Sequence, residues 1–359
     1  MSVISTNDVT VALKKGSTWG TEADITSGGL FLYASNISVS GGYTDFIPRD
    51  FGLAGKRTST ARLQGKFNVK ITCDLTYGQA WLALFASVMG TESSPSETTV
   101  GEADYLVNHD LADSVTGLFW TLCYKVETDR VFVLPSVKIM GFSLSISNNG
   151  AGSITFDGEA DVITESSANT VAEIAALTKY TYETVTLGGA NHYFRTNADS
   201  GGGLSGSDDK MITGVTISVS RPLRGQYGLR GASSKYVLEP LQYGDIEGTL
   251  KVDYIELDDA TYDMFGEWEA ATTKKAELFI DGSQIAGGVN RSLKFQMPYL
   301  KPKPTIPVGH DVQSNNSQFT PSIEYHMLKR SAAPTGMSGV TDYLRLAEIH
   351  PTRSTKWTA

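Results

Sequence analysis

The chain has 359 residues, with 39 Asp and Glu against 30 Lys and Arg, for a formal charge of −9. That balance argues against a protein that grips nucleic acid on a basic face, though not against one that lets nucleic acid pass unheld. Hydrophobic residues at 40%, charged residues at 19% and 36 glycines exclude a disordered chain and fit many short strands joined by small-residue turns.

The first ten residues lack a basic segment followed by an apolar one, so no secretory signal is read there and folding in a cytoplasm is expected. No apolar run approaches the roughly 18 residues of a membrane-spanning helix. The two cysteines, Cys73 and Cys123, form no disulfide framework. Cys73 closes an alternating apolar run, which predicts a reduced, buried thiol.

Residues 36–40 (Asn-Ile-Ser-Val-Ser) open the recognisable pattern, and a loop over residues 41–62 follows. Residues 63–73 place Leu63, Gly65, Phe67, Val69, Ile71 and Cys73 on every second position, the signature of a strand with one buried face. Thr76 with Gln79 reads as a capping box before a helix over 77–89, which Gly90 ends. Residues 91–117 are acidic and rich in Ser, Thr and Gly. After Asp161-Val162-Ile163 the chain turns polar, and residues 199–207 read as a flexible connector.

The pattern then recurs. Residues 216–220 (Thr-Ile-Ser-Val-Ser) match 36–40, and a loop over 221–245 follows. Residues 246–255 repeat the alternating strand, with Gly248 answering Gly65. Asp259 is predicted to cap a second helix in which Met264, Phe265 and Trp268 stand for Trp81, Leu82 and Phe85. Phe295-Gln296-Met297-Pro298 matches Phe132-Val133-Leu134-Pro135, Ser314-Asn315-Asn316 matches Ser147-Asn148-Asn149, and Ile323 and Tyr325 match Ile154 and Phe156. Matched elements in one order predict two tandem copies of a single domain. The divisions are residues 1–168, a connector at 169–204, residues 205–330, and a C-terminal arm at 331–359.

Chemistry is sparse. His109, His192, His310, His326 and His350 share no metal-ligand spacing and read as surface or loop residues. Gly201 to Gly206 matches GxGxxG literally, but a polar linker precedes it and a strand-like segment follows, so the nucleotide mechanism lacks its strand and helix. Residues 52–58 lack the helix of a phosphate loop, and no Ser sits in a nucleophile elbow. Asp258 and Asp259 read as helix N-terminal acids. No cofactor is expected. The two loops stand out instead, because each mixes basic, acidic and aromatic residues over about 20 positions, an interface-like composition. The first carries Arg49, Asp50, Lys56, Arg57 and Arg62, and the second Arg221, Arg224, Arg230, Lys235 and Glu239.

Residues 14–23 (Lys-Lys-Gly-Ser-Thr-Trp-Gly-Thr-Glu-Ala) resemble the opening signature of bacteriophage tail tube (major tail) proteins. In that family a strand, a long basic loop, a strand like 63–73, a helix like 77–89 and strands like 132–146 and 153–163 follow in turn. Residues 205–330 lack the Trp-Gly-Thr step and join through the repeat. The resemblance implies a mainly β fold: two tail-tube-like β-sandwich or barrel domains, each with one flanking helix. It implies a non-enzymatic virion protein, assembled in the host cytoplasm into stacked rings that conduct DNA. Six tube domains usually make a ring in that family, so two per chain imply a homotrimeric, pseudo-sixfold ring. Expected partners are further copies of the chain, tail terminator, tape measure and baseplate or tip proteins, and passing DNA held without specificity. An acidic lumen would repel phosphates. A tandem binding module for a receptor or carbohydrate is the alternative, which exposed aromatic residues on one shallow face would favour. An unrecognised hydrolase is a third reading, for which no motif argues.

Overall fold

In the computed structural model the chain is mainly β. The structure describes residues 10–46, 61–78, 80–125, 130–148, 150–179, 183–189, 191–226, 238–254, 258–259, 262–305, 322–351 and 356–358. The first part contains β1 (Thr10–Lys15), β2 (Leu30–Leu32), β3 (Ala34–Phe46), β4 (Ala61–Asp74), helix α1 (Ala80–Met89), β5 (Gly90–Glu92) and β6 (Ser96–Glu97). It continues with β7 (Tyr105–Leu111), β8 (Trp120–Lys125), β9 (Val131–Ser147), β10 (Ser153–Ala160) and β11 (Thr164–Glu165). Then come α2 (Val171–Ala176), β12 (Tyr193–Ala198), β13 (Ile212–Ser220), β14 (Leu223–Gln226), β15 (Leu238–Gln242), β16 (Glu247–Tyr254), β17 (Asp258–Asp259) and β18 (Tyr262–Asp263). The chain ends with α3 (Met264–Glu269), β19 (Lys274–Gln284), β20 (Asn290–Pro302), β21 (Ser322–Met327) and β22 (Arg345–His350).

Eighteen of these strands form one antiparallel sheet, and no barrel closes among the described residues. Two series of pairings have the same form. One runs β1–β8–β9–β10–β4–β3, the other β12–β19–β20–β21–β16–β13. Each carries a register shift at a corresponding place. Trp120 and Leu122 face Val137 and Leu134, while Lys274 and Ala276 face Leu300 and Met297. The series meet where residues 214–220 of β13 pair with residues 141–147 of β9. Eight strands therefore lie side by side as β3–β4–β10–β9–β13–β16–β21–β20.

The alternation read in β4 is real. Phe67, Val69, Ile71 and Cys73 are buried, and the intervening Lys66, Asn68 and Lys70 are exposed. Helix α1 buries nine consecutive residues from Trp81 to Met89, and one continuous core joins it to both series of strands. The helix begins at Ala80 rather than Tyr77, and the Thr76 carbonyl accepts a hydrogen bond from the Trp81 indole at 2.7 Å. In the second series α3 begins only at Met264. Asp258 and Asp259 form β17 against β18 instead of capping it. A two-residue ladder has taken the backbone groups a cap would have used. Trp268 is half-buried, with its indole donating to the Lys303 carbonyl.

The glycine-rich run is held in place. Lys275, fully buried, donates from Nζ to the carbonyls of Gly201, Gly202 and Thr335. Gly336, at φ +87°, packs against Gly203 where a Cβ would clash. Residues 345–350 also do more than trail. Strand β22 pairs with β20 on one side and β7 on the other. His109 and His350 are buried, not surface residues, because both lie on inward positions of this joined sheet. His109 Nε2 is 3.2 Å from Glu348 Oε1. Cys73 and Cys123 are free and buried, and burial pushes both thiols up to about 12.

Asp161 is buried at 1% exposure, and desolvation pushes its carboxyl up to about 6 although it accepts from the Ser136 amide. The folded state thus holds this proton more tightly than the unfolded chain, whose Asp titrates near about 3.9. Stability from this group is complete below about pH 4 and is lost as pH rises through about 6. Asp161→Asn is expected to raise stability by about 1–3 kcal/mol at pH 8 and to change little at pH 4. Urea midpoints at the two pH values check it; equal shifts would remove the carboxylate as the cause.

Candidate assembly surfaces

The eight-strand face turned away from the core is built from short polar side chains. Along one row the register sets Asn36 beside Thr72, Thr155, Ser143, Ser218, Thr249, His326 and Lys301 in turn. Hydroxyls bridge neighbouring strands: Thr72 to Thr155 at 3.1 Å, Ser218 to Ser143 at 3.0 Å, and Thr216 to Ser145 at 3.4 Å. The charges are of both signs and adjacent. Lys70 faces Asp157, and Lys251 faces Glu324 and reaches Asp253 at 3.1 Å. Such a wall offers hydrogen bonds everywhere and concentrated cations nowhere, so it provides little for a phosphate backbone to hold.

Strands β14 and β15 form a separate two-stranded hairpin, anchored on the first series by two buried cations. Arg221, 1% exposed, donates from Nη2 to the carbonyls of Val88 and Ala112 at 3.0 and 2.8 Å, and from Nη1 to Gln242. Val88 lies in the last turn of α1, where a cation meets unpaired carbonyls and the negative end of the helix dipole. Burial lowers the Arg221 guanidinium to about 10, so it is charged at neutral pH. Lys138, also 1% exposed, donates to the Val115 carbonyl and to Glu239 Oε1, the latter at 2.5 Å. Burial lowers its pKa, and the Glu239 carboxylate opposes that shift. Glu239 also accepts from the Gly117 amide at 2.7 Å.

Strand β3 is an open edge: among the described residues it has a ladder partner, β4, on one side only. Its Ile37 and Val39 are half-buried, whereas Ile217 and Val219 on β13, which β9 covers, are 0% and 1% exposed. A groove of about 550 Å³ runs along β3, lined by Ile37, Val39, Val11, Phe67 and Tyr124.

Of the ten interface candidates read from the sequence, four fall among the described residues. Arg49, Asp50, Lys56, Arg57, Arg230 and Lys235 lie outside the described residues. Arg62 stands in β4 opposite Asp45 in the backbone ladder. Arg221 and Glu239 are brought together as intrachain anchors. Arg224 is exposed on β14 opposite Leu241, itself 41% exposed, and Tyr243 at the hairpin base is 67% exposed. Sequence reasoning missed Lys138 and the hydroxyl rows. The alternating Ser143, Ser145 and Ser147 were the available signal.

Among the described residues no group of His, Cys, Asp and Glu is arranged to hold a metal, and no helix is long and apolar enough to cross a membrane. A broad antiparallel sheet with one hydroxyl-rich face, an edge uncovered among the described residues and a separate two-stranded ladder has the marks of a structural β protein. The model of the phage tail tube protein family matches residues 6–319, and the chain belongs to that family. It is accordingly a structural component of a bacteriophage tail. A search of curated proteins finds no match.

Proposed function

We propose that the chain self-assembles into stacked rings forming a tail tube, with the hydroxyl-rich face of the eight-strand sheet lining a channel through which DNA passes. That face carries the reading, since it continues over strands of both series and its charges balance. The channel wall on this account is neutral and hydroxylated rather than acidic.

Residues 1–168 and 205–330 are read as two copies of one domain joined through 169–204, with β12 of that joint belonging to the second copy by its pairing with β19. The equivalent pairing series and their matching register shifts support this. The ladder aligns the copies differently from the glycine match. If Ile37 corresponds to Ile217, then Leu250 takes the place of Ile71, not Phe67. Strand alternation has period two, so it cannot distinguish registers that differ by an even number of residues. Two domains per chain give a ring of three chains with pseudo-sixfold form. The exposed Arg224, Leu241 and Tyr243 and the loops carrying Arg49, Asp50, Lys56, Arg57, Arg62, Arg230 and Lys235 are read as contacts between rings. Terminator, tape measure and baseplate or tip proteins are the partners at the ends and inside.

Electron micrographs of the concentrated full-length protein test this reading. Hollow tubes or stacked rings are the expected result. Monodisperse monomers at all concentrations would defeat it.

A further inference from the structure

The hydroxyl-rich face carries charges in pairs that come and go as units. On it Lys251 of β16 stands opposite Glu324 of β21. The equivalent residues of the first series are Thr72 and Thr155, since Leu250 and its partner Tyr325 take the places of Ile71 and Phe156. Two residues along, the exchange runs the other way. Lys70 stands opposite Asp157 in the first series, and Thr249 opposite His326 in the second. At both places one copy has a lysine together with its acid, and the other copy has neither. Exposed ion pairs contribute little to stability, so stability does not account for the coupling.

We propose that Lys251, Lys301 and Lys303 form a latent site for the phosphate backbone of a nucleic acid, which Glu324 and Asp253 suppress. This rests on the reading of the face as a channel wall, and it assigns to two carboxylates the freedom of DNA to slide past. Glu324 stands between two cations: Lys251 opposite it, and Lys303, whose ammonium it binds. Lys251 Nζ also reaches Asp253 Oδ1 at 3.1 Å. Lys301 is exposed, and the buried Pro302 between it and Lys303 leaves both lysines on the same face. Strand β21 alone separates β16 from β20 here, so the lysines lie across two strand spacings, about 10 Å. That is close to the Debye length at about 0.1 M salt, and the three cations would act together on one stretch of backbone. Glu324 and Asp253, within the same span, cancel two of those three charges.

Binding of random-sequence duplex DNA to the soluble full-length chain tests the assignment. The variant Glu324→Gln/Asp253→Asn should gain at least about tenfold in affinity at about 50 mM salt and lose most of that gain by about 200 mM. Its circular dichroism should match the wild type, because both carboxylates are partly exposed. The control Glu97→Gln/Glu102→Gln removes two exposed acids that lie off this face, and it should bind no better than the wild type. No gain in the first variant, or an equal gain in the control, overturns the site and leaves the tube reading standing. A wild-type chain that forms no tubes in electron micrographs defeats the channel reading instead, whatever the DNA result.

Discussion

Replacing Arg221 by alanine is expected to cost about 3–5 kcal/mol, among the largest single-residue effects in the chain. The guanidinium is 1% exposed and Nη2 donates to the carbonyls of Val88 and Ala112. Alanine would leave both carbonyls buried without that donor, open a cavity, and release Gln242 at the hairpin base. Buried acceptors stripped of a charged partner carry most of the cost. Arg224 on the same hairpin is exposed, so Arg224→Ala should stay within about 0.5 kcal/mol. Denaturant midpoints of the two variants make the comparison. Equal, small shifts would mean that the anchor does not hold the hairpin.

Ending the chain at Leu344 should have a larger effect still. Strand β22 supplies ladder bonds to both β20 and β7, buries Leu346, Glu348 and His350, and places a bidentate Arg345–Asp110 pair across the seam. The Glu92 side chain meanwhile accepts from the amides of Trp357 and Thr358. Loss of Leu346 alone is worth about 2–4 kcal/mol, and removal of the strand exposes two edges at once. The total should exceed about 5 kcal/mol, comparable with the whole stability of an ordinary domain. Hydrogen exchange should then accelerate across β7 and β20 by orders of magnitude. Unchanged protection there would show β22 to be an appendage.

The sequence was most readable where structure is local. Period-two alternation located β4 and β16, and the helical spacing of apolar residues over 77–89 located α1 to within three residues of its start. Readability failed where partners are chosen at a distance. Nothing near residue 345 announces that a strand will sit between β20 and β7, because sheet pairing depends on what the rest of the chain leaves open. An arginine after a Ser-Val-Ser strand looks like a surface residue until the carbonyls of Val88 and Ala112 arrive around it. The glycine run at 201–203 looked flexible because the residue that holds it, Lys275, lies more than seventy positions away. Of the candidate interface residues, Arg221 and Arg224 were visible as two cations of one loop. The division of labour between a buried Arg221 and an exposed Arg224 was not, since it depends on which side of the hairpin meets the first series of strands.

A reconstruction of the assembled particle, resolved well enough to trace strands, tests the central claim most directly. The account predicts three chains per ring, with the hydroxyls of Ser143, Ser145, Thr216 and Ser218 facing the channel. Those side chains on the outer wall, or a ring whose sheet turns its α1 side inward, would contradict it.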